Sequence, residues 1–277
     1  MKIACGTVLF RQHSLERALG AIREIGYNYV ETQAVGEWCP HVTIGESDPI
    51  KYADLVKSHG FLGTTALWMP YGTILSDDLC VEYGIRTLEW AQAAGIPVVN
   101  TGDGYKPDGM SDEDAWKVYV ERMSKLVETA ERCKVAIAIE PHGTFSLTGA
   151  GLKKLMSLTN SPWLGINYDG CNVNRAAYVE SHGDNFKSVA TGGAGKEDEV
   201  AVLKSVVDRV VHVHAKDFKD GLCRALGTGE VKVAECIEVL KNYGYTGAIS
   251  LETEGDEDFE TSYAYAKQSL KFLQDRV

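Results

Sequence analysis

Four stretches of the sequence put an acid or a histidine directly behind a short apolar run. They are Ala138-Ile139-Glu140-Pro141-His142, Ile166-Asn167-Tyr168-Asp169, His212-Val213-His214-Ala215-Lys216-Asp217 and Ser250-Leu251-Glu252. If each run is a parallel strand of a barrel, its end delivers that side chain to one rim. Carboxylates gathered there, Glu140, Asp169 and Glu252, would repel by roughly 4 kcal/mol per close pair at an effective dielectric near 20, so a positive group must sit between them. A divalent cation held by Glu140, Asp169, His214 and Glu252 meets that need. The mostly oxygen donor set suits Mn²⁺, with Mg²⁺ or Co²⁺ as alternatives, better than a thiolate-seeking ion. His212 and His214 lie two apart and point the same way off a strand. The later one stands nearer the rim and is taken as the ligand, with His212 as a layer residue or supporting partner.

The elements that must position these residues follow from a rhythm of β-rich apolar runs alternating with helical periods. Strands are expected at Lys2–Gly6, Tyr27–Glu31, Gly63–Trp68, Val98–Thr101, Val135–Glu140, Leu164–Tyr168, Val210–Ala215 and Ala248–Glu252. Helices are expected at Ser14–Ile25, Pro49–His59, Asp78–Ala94, Ser111–Cys133, Gly151–Leu158, Glu197–Arg209, Val233–Tyr243 and Phe259–Val277. In the first helix Leu15, Ala18, Leu19, Ile22 and Ile25 share one face, and Gly26, Gly60, Gly95 and Gly244 mark helix exits. Such a series of βα units predicts an α/β fold, a (β/α)8 TIM barrel with outer helices, occupying 1–277 as one catalytic domain. The first turn has no GxGxxG fingerprint, which argues against a doubly wound dinucleotide fold. Arg175–Lys196, with Ser181-His182-Gly183-Asp184-Asn185 and Gly192-Gly193-Ala194-Gly195 inside it, reads as a long loop on the active face.

Composition narrows the function. The 277 residues are 44% hydrophobic, enough for a large core, and 28 Lys and Arg against 39 Asp and Glu leave a net charge of −11. Such a chain repels a polyanion, so no nucleic-acid partner is expected. The seven scattered cysteines form no disulfide framework or CxxC knuckle. No apolar stretch reaches membrane-spanning length, and Met1-Lys2-Ile3 leads straight into a short run ending at Gly6 with no secretory pattern. No membrane association and a reducing cytoplasm are the expectation.

Glu140, Asp169, His214 and Glu252, in Ile-Glu-Pro-His, Asn-Tyr-Asp-Gly-Cys-Asn, His-Val-His-Ala-Lys-Asp and Ser-Leu-Glu-Thr, resemble the metal centre of the xylose isomerase-like TIM barrels. That superfamily includes sugar and sugar phosphate isomerases and epimerases, ketose 3-epimerases, inosose dehydratases and, more distantly, AP endonucleases. The resemblance covers nearly the whole chain. It implies a divalent-metal-dependent sugar isomerase or epimerase in which Glu140 and Glu252 are also the acid and base that move a proton on the carbon beside a carbonyl. The physical logic agrees, because a cation offsets the negative charge that builds as that proton leaves. Where the proton returns separates isomerisation, epimerisation and elimination.

The alternative is therefore a lyase, acting as an inosose dehydratase or as the metal subunit of a 3-oxo-C-glycoside deglycosidase. An AP-endonuclease-like phosphodiesterase would want a basic groove and more histidines, and a non-catalytic sugar-binding subunit would not need four intact ligands. Family habit implies homo-oligomers or a heteromeric partner subunit, with a small sugar or keto-sugar as substrate.

Softer candidates surround this set. His142 is either a base or sugar contact beside Glu140, or a loop histidine. Lys216 and Asp217 either anchor a substrate oxygen, a role assigned to Lys216, or pair with each other. Glu31 is read as a hydroxyl-recognising acid at a strand end, and Trp68 as an apolar wall for a sugar face or plain packing. Asn100, towards the end of the fourth strand, and Asp103, after it, are further candidates. Asn172 is read as a substrate contact at a position where relatives often place a histidine that touches metal or substrate, and Cys171 reads as a packing residue whose thiolate nearby carboxylates suppress. Arg224 either closes over an anionic substrate or is a solvated loop charge. As a rim ligand, Asp169 is expected to matter for metal retention and little for the fold.

Overall fold

In this computed structural model the described residues are 1–175, 177–182, 185–190, 197–254 and 257–277, with the backbone alone described at 71–73, 177–182 and 185–190. The strands are β1 (Lys2–Gly6), β2 (Tyr29–Gln33), β3 (Gly63–Thr73), β4 (Val98–Gly104), β5 (Ala136–Gly143), β6 (Leu164–Asp169), β7 (Ala177–His182), β8 (Asn185–Ala190), β9 (Val210–Ala215), β10 (Asp217–Lys219), β11 (Leu222–Arg224) and β12 (Ala248–Leu251). The helices are α1 (Leu15–Ile25), α2 (Pro49–Ser58), α3 (Cys80–Ala94), α4 (Asp112–Cys133), α5 (Gly149–Met156), α6 (Gly170–Arg175), α7 (Glu199–Val206), α8 (Val233–Tyr243) and α9 (Phe259–Gln274). Eight strands close into a parallel barrel in the order β1-β12-β9-β6-β5-β4-β3-β2, with helices outside: the expected TIM barrel.

The pleat sorts side chains between two environments. On β5, Ile137 and Ile139 join the main core beneath the helices, whereas Ala136 and Ala138 form a small separate cluster with Ala66 and Val98. Glu140 continues that second face towards the rim. On β6 the outer core takes Leu164, Ile166 and Tyr168, leaving Asn167 and Asp169 on the other face. Register aligns the rim: Asp169 pairs with His214, and His214 with Ser250.

Local signals set the helix ends. Ser14 accepts the Arg17 N–H at the start of α1, and Ser111 accepts that of Asp114 at the start of α4. Gly26 ends α1 at φ 116°, where a side chain would be strained. That cap delays the second strand. Tyr27 spends its hydroxyl on the Ala266 carbonyl at 2.9 Å, and the ladder begins only at Tyr29, against Ala4 and Gly63.

Several segments depart from the sequence reading, and β3, β4 and β5 run on past their expected ends to Thr73, Gly104 and Gly143. A short helix, α6, follows Asp169 directly, because Asp169 Oδ1 accepts the N–H groups of Cys171 at 2.7 Å and Asn172 at 3.1 Å. The stretch expected as an open loop contains an antiparallel pair, β7 with β8, running from Ala177 opposite Ala190 to His182 opposite Asn185. Two short strands give too few alternations to register as periodic. The Gly192-Gly193-Ala194-Gly195 run lies outside the described residues. Lastly, Arg224 belongs to a second antiparallel pair, β10 with β11, and not to a loop.

Candidate metal centre

Strands β5, β6, β9 and β12 bring Glu140, Asp169, His214 and Glu252 together, each with a ligand atom within 4.8 Å of the others. All four side chains are buried. His214 Nδ1 lies 2.8 Å from Glu140 Oε2 and 3.1 Å from Glu252 Oε2. On the other side of the ring, Nε2 lies 2.8 Å from Glu31 Oε1. Trp68 stacks on the imidazole at 6.3 Å between centroids.

The cation facing these acids is Lys216. Its Nζ lies 3.0 Å from Asp169 Oδ2, 2.7 Å from Glu252 Oε2 and 2.7 Å from Glu254 Oε2. Only the Glu254 contact has hydrogen-bond geometry; among the described residues neither Asp169 Oδ2 nor Glu252 Oε2 has a hydrogen-bond partner. Two ionisable oxygens thus converge, buried, without hydrogen bonds. A divalent cation fits this donor set, in which three carboxylates and one imidazole nitrogen leave an excess of negative charge that one ammonium does not cancel.

The same crowding displaces proton affinities. Burial, reinforced by Glu252 and Asp169, pushes Glu140 up to about 8 despite His214. Burial also acts on Glu252, but His214 and Lys216 outweigh it and hold that carboxyl well below its ordinary range. Glu254, buried and beside Glu252, is pushed up to about 7 although Lys216 opposes the shift. For His214, burial is outweighed by Glu252, Glu31 and Glu140, which favour the imidazolium.

A polar layer beneath the ligands holds them. Asn167 Nδ2 donates to Glu140 Oε2 at 2.8 Å, and Asn172 Nδ2 donates to Glu140 Oε1 at 2.9 Å. Gln33 Nε2 reaches Glu252 Oε1 at 3.4 Å. Asn100 Nδ2 donates to Glu31 Oε1 at 2.9 Å. His212 lies between Asn167 Oδ1 at 3.0 Å and the Thr65 hydroxyl at 3.3 Å, and burial lowers its pKa to about 4. That is the supporting position the strand period suggested.

The remaining expectations divide. His142 is half-buried, 5.7 Å from Trp68, with its backbone N–H on Ser146 Oγ at 2.7 Å; burial and then Lys216 lower its pKa to about 3. It is not a solvated loop histidine. The pairing of Lys216 with Asp217 is not found. Asp217 instead accepts backbone N–H groups from Phe218, Gly227, Gly229 and Val231, tying the loop after β11 to β10. Arg224 donates to the Tyr265 hydroxyl at 3.4 Å and, among the described residues, has no bond to the carboxylate cluster. Cys171 packs with Phe218 and Cys223, and burial, then Asp169, raises its pKa well above the ordinary value. Asp103 accepts the N–H groups of Phe145 and Ser146 and the Ser146 hydroxyl, which fixes the loop behind Glu140.

Glu254, Asn167 and Gln33 were not singled out from the sequence. Strand period offered one signal, since Asn167 lies two residues before Asp169 and Glu254 two after Glu252.

With fold and cluster in hand, the kinship is plain. Residues 19–276 match the family described as the xylose isomerase-like TIM barrel, and the chain belongs to it. Among curated relatives, an uncharacterised protein of Methanocaldococcus jannaschii is 25% identical over 72% of this chain and 65% of its own length. An inosose dehydratase of Clostridium perfringens is 24% identical over 60% of this chain and 56% of its own. The chain thus spans less than two thirds of either. Among solved structures, a D-tagatose 3-epimerase-like protein superposes with a TM-score of 0.76 at 20% identity, covering 99% of both chains. A probable 3-DHS dehydratase of Bacillus anthracis gives 0.74 at 18% identity, covering 100% of both. The IOLI protein, solved with a zinc atom bound, gives 0.73 at 16% identity, covering 100% of this chain and 98% of its own. Sugar epimerases and dehydratases therefore surround this chain.

Proposed function

We propose that this protein is a divalent-metal-dependent enzyme that removes the proton beside the carbonyl of a sugar or keto-sugar, with isomerisation or 3-epimerisation as the outcome. The observation that carries the reading is the buried convergence of Glu140, Asp169, His214 and Glu252 at one barrel rim, two of them glutamates from strands that are not neighbours. Mn²⁺ is the ion best suited to the oxygen-rich set. When bound, it would offset the negative charge that develops on substrate oxygen.

The chain's own residues handle the proton. Lys216 and His214 keep Glu252 ionised, the form in which a carboxylate takes up a proton. Glu140, steered by Asn167 and Asn172, is placed to carry a proton on another side of the same site. Trp68 and His142 form a wall beside His214 suited to a sugar face. The seven cysteines are free and buried, which accords with a cytoplasmic enzyme.

Elimination of water by the same proton abstraction is the second reading, favoured by the inosose dehydratase among the relatives. One experiment separates the two. Ketoses, inososes and 3-oxo-glycosides are incubated with the Mn²⁺-loaded protein in D₂O and followed by NMR. Deuterium at the α-carbon with every substituent retained supports isomerisation or epimerisation. Loss of a β-substituent supports elimination. Absence of exchange on all three classes refutes both.

A further inference from the structure

Glu31 stands in the middle of β2, not at the strand end the sequence suggested, is 1% exposed, and one of its oxygens serves two donors. Oε1 lies 2.8 Å from His214 Nε2 and accepts the Asn100 amide N–H at 2.9 Å. Both ring nitrogens face a carboxylate at 2.8 Å, but a cation held by Glu140, Asp169 and Glu252 would take the nitrogen turned to them, leaving the ring proton on Nε2, where Glu31 accepts it. The other nitrogen, Nδ1, is then the one turned to Glu140 and Glu252, at 2.8 and 3.1 Å. A ring bonded on one nitrogen and stacked on Trp68 keeps one orientation.

We propose that Glu31 is a positioning residue that holds His214 in its Nε2–H form with Nδ1 directed at the ligand cluster, and that Asn100 in turn holds Glu31. This role engages Oε1 with two donors inside the barrel and is separate from recognition of a sugar hydroxyl, for which Oε2, without a hydrogen-bond partner among the described residues, stays available. It rests on the reading of the cluster as a metal centre.

The test keeps the two readings apart. Mn²⁺ is titrated by calorimetry into the wild-type protein, Glu31→Gln and Asn100→Ala, with circular dichroism confirming the folded fraction of each. Wild type should bind Mn²⁺, Glu31→Gln should bind it about 10-fold to 100-fold more weakly, and Asn100→Ala should be weakened by a smaller factor. Wild type that binds no divalent ion overturns the metal-centre reading. Wild type that binds while folded Glu31→Gln binds equally well overturns the role of Glu31 alone. A second measurement needs no variant: the ¹⁵N–¹H correlation spectrum of the histidine rings in Zn²⁺-loaded wild type should show the His214 proton on Nε2. A proton on Nδ1 would overturn the proposal.

Discussion

Replacing Lys216 by Met tests the electrostatics of the whole site. The side chain keeps an unbranched stem, with sulfur in place of Cδ, and loses the terminal ammonium, which lies 3.0, 2.7 and 2.7 Å from oxygens of Asp169, Glu252 and Glu254. Each contact is a gross attraction of roughly 5 to 6 kcal/mol at an effective dielectric near 20. Most of that is offset by the cost of burying four charges, so the measurable loss is the uncompensated remainder, about 3–5 kcal/mol. The sign of the pH dependence follows from Glu254. Its folded pKa, about 7, lies above the ordinary carboxylate value of 4.5, so the folded state binds the proton more tightly. Stability from that proton is fully present below the unfolded pKa and is lost as pH rises through 7. Without Lys216 the carboxylates repel unscreened and the folded pKa rises further, so the variant should lose most at pH 8–9 and least near pH 5. Urea denaturation of metal-free wild type and Lys216→Met at both pH values measures this. A variant within 1 kcal/mol of wild type at pH 8–9, or one whose deficit is larger at pH 5, would refute the reasoning.

Asp169→Ala should abolish Mn²⁺ retention and also cost about 2–4 kcal/mol, because Oδ1 is the acceptor for two backbone N–H groups opening α6; metal analysis and a thermal melt check the two effects separately. Glu252→Gln should stay folded and retain some metal while α-proton exchange in D₂O falls by at least about 100-fold, the low end of what a positioned base supplies. Gly151→Ala should destabilise by about 3 kcal/mol or more, since its Cβ would lie 1.8 Å from the Phe145 carbonyl oxygen, and the midpoint of a urea melt reports it.

The alternation of β-rich and helical periods was enough to read the barrel, because strand and helix periods are local properties of the chain. Placing Glu140, Asp169, His214 and Glu252 on one rim followed from the same local logic, once all the strands were taken to run parallel. The second effect of Asp169 was hidden: sequence made it a rim ligand with little part in the fold, and only the folded structure has its carboxylate starting α6. The β7–β8 pair was hidden too, since two six-residue strands carry little periodicity.

What tertiary structure alone decided is which rim residues meet. Lys216 could have paired with its neighbour Asp217, yet it reaches Asp169 on β6 and Glu252 and Glu254 beyond β12, while Asp217 turns to backbone donors. Glu31 meets His214 across 183 positions of sequence because β1 pairs with both β2 and β12 and so closes the ring. Pairings of that kind depend on barrel register and closure, which no local pattern encodes. Residue types and spacing determined the kind of chemistry available; the closed cylinder determined which charges share it.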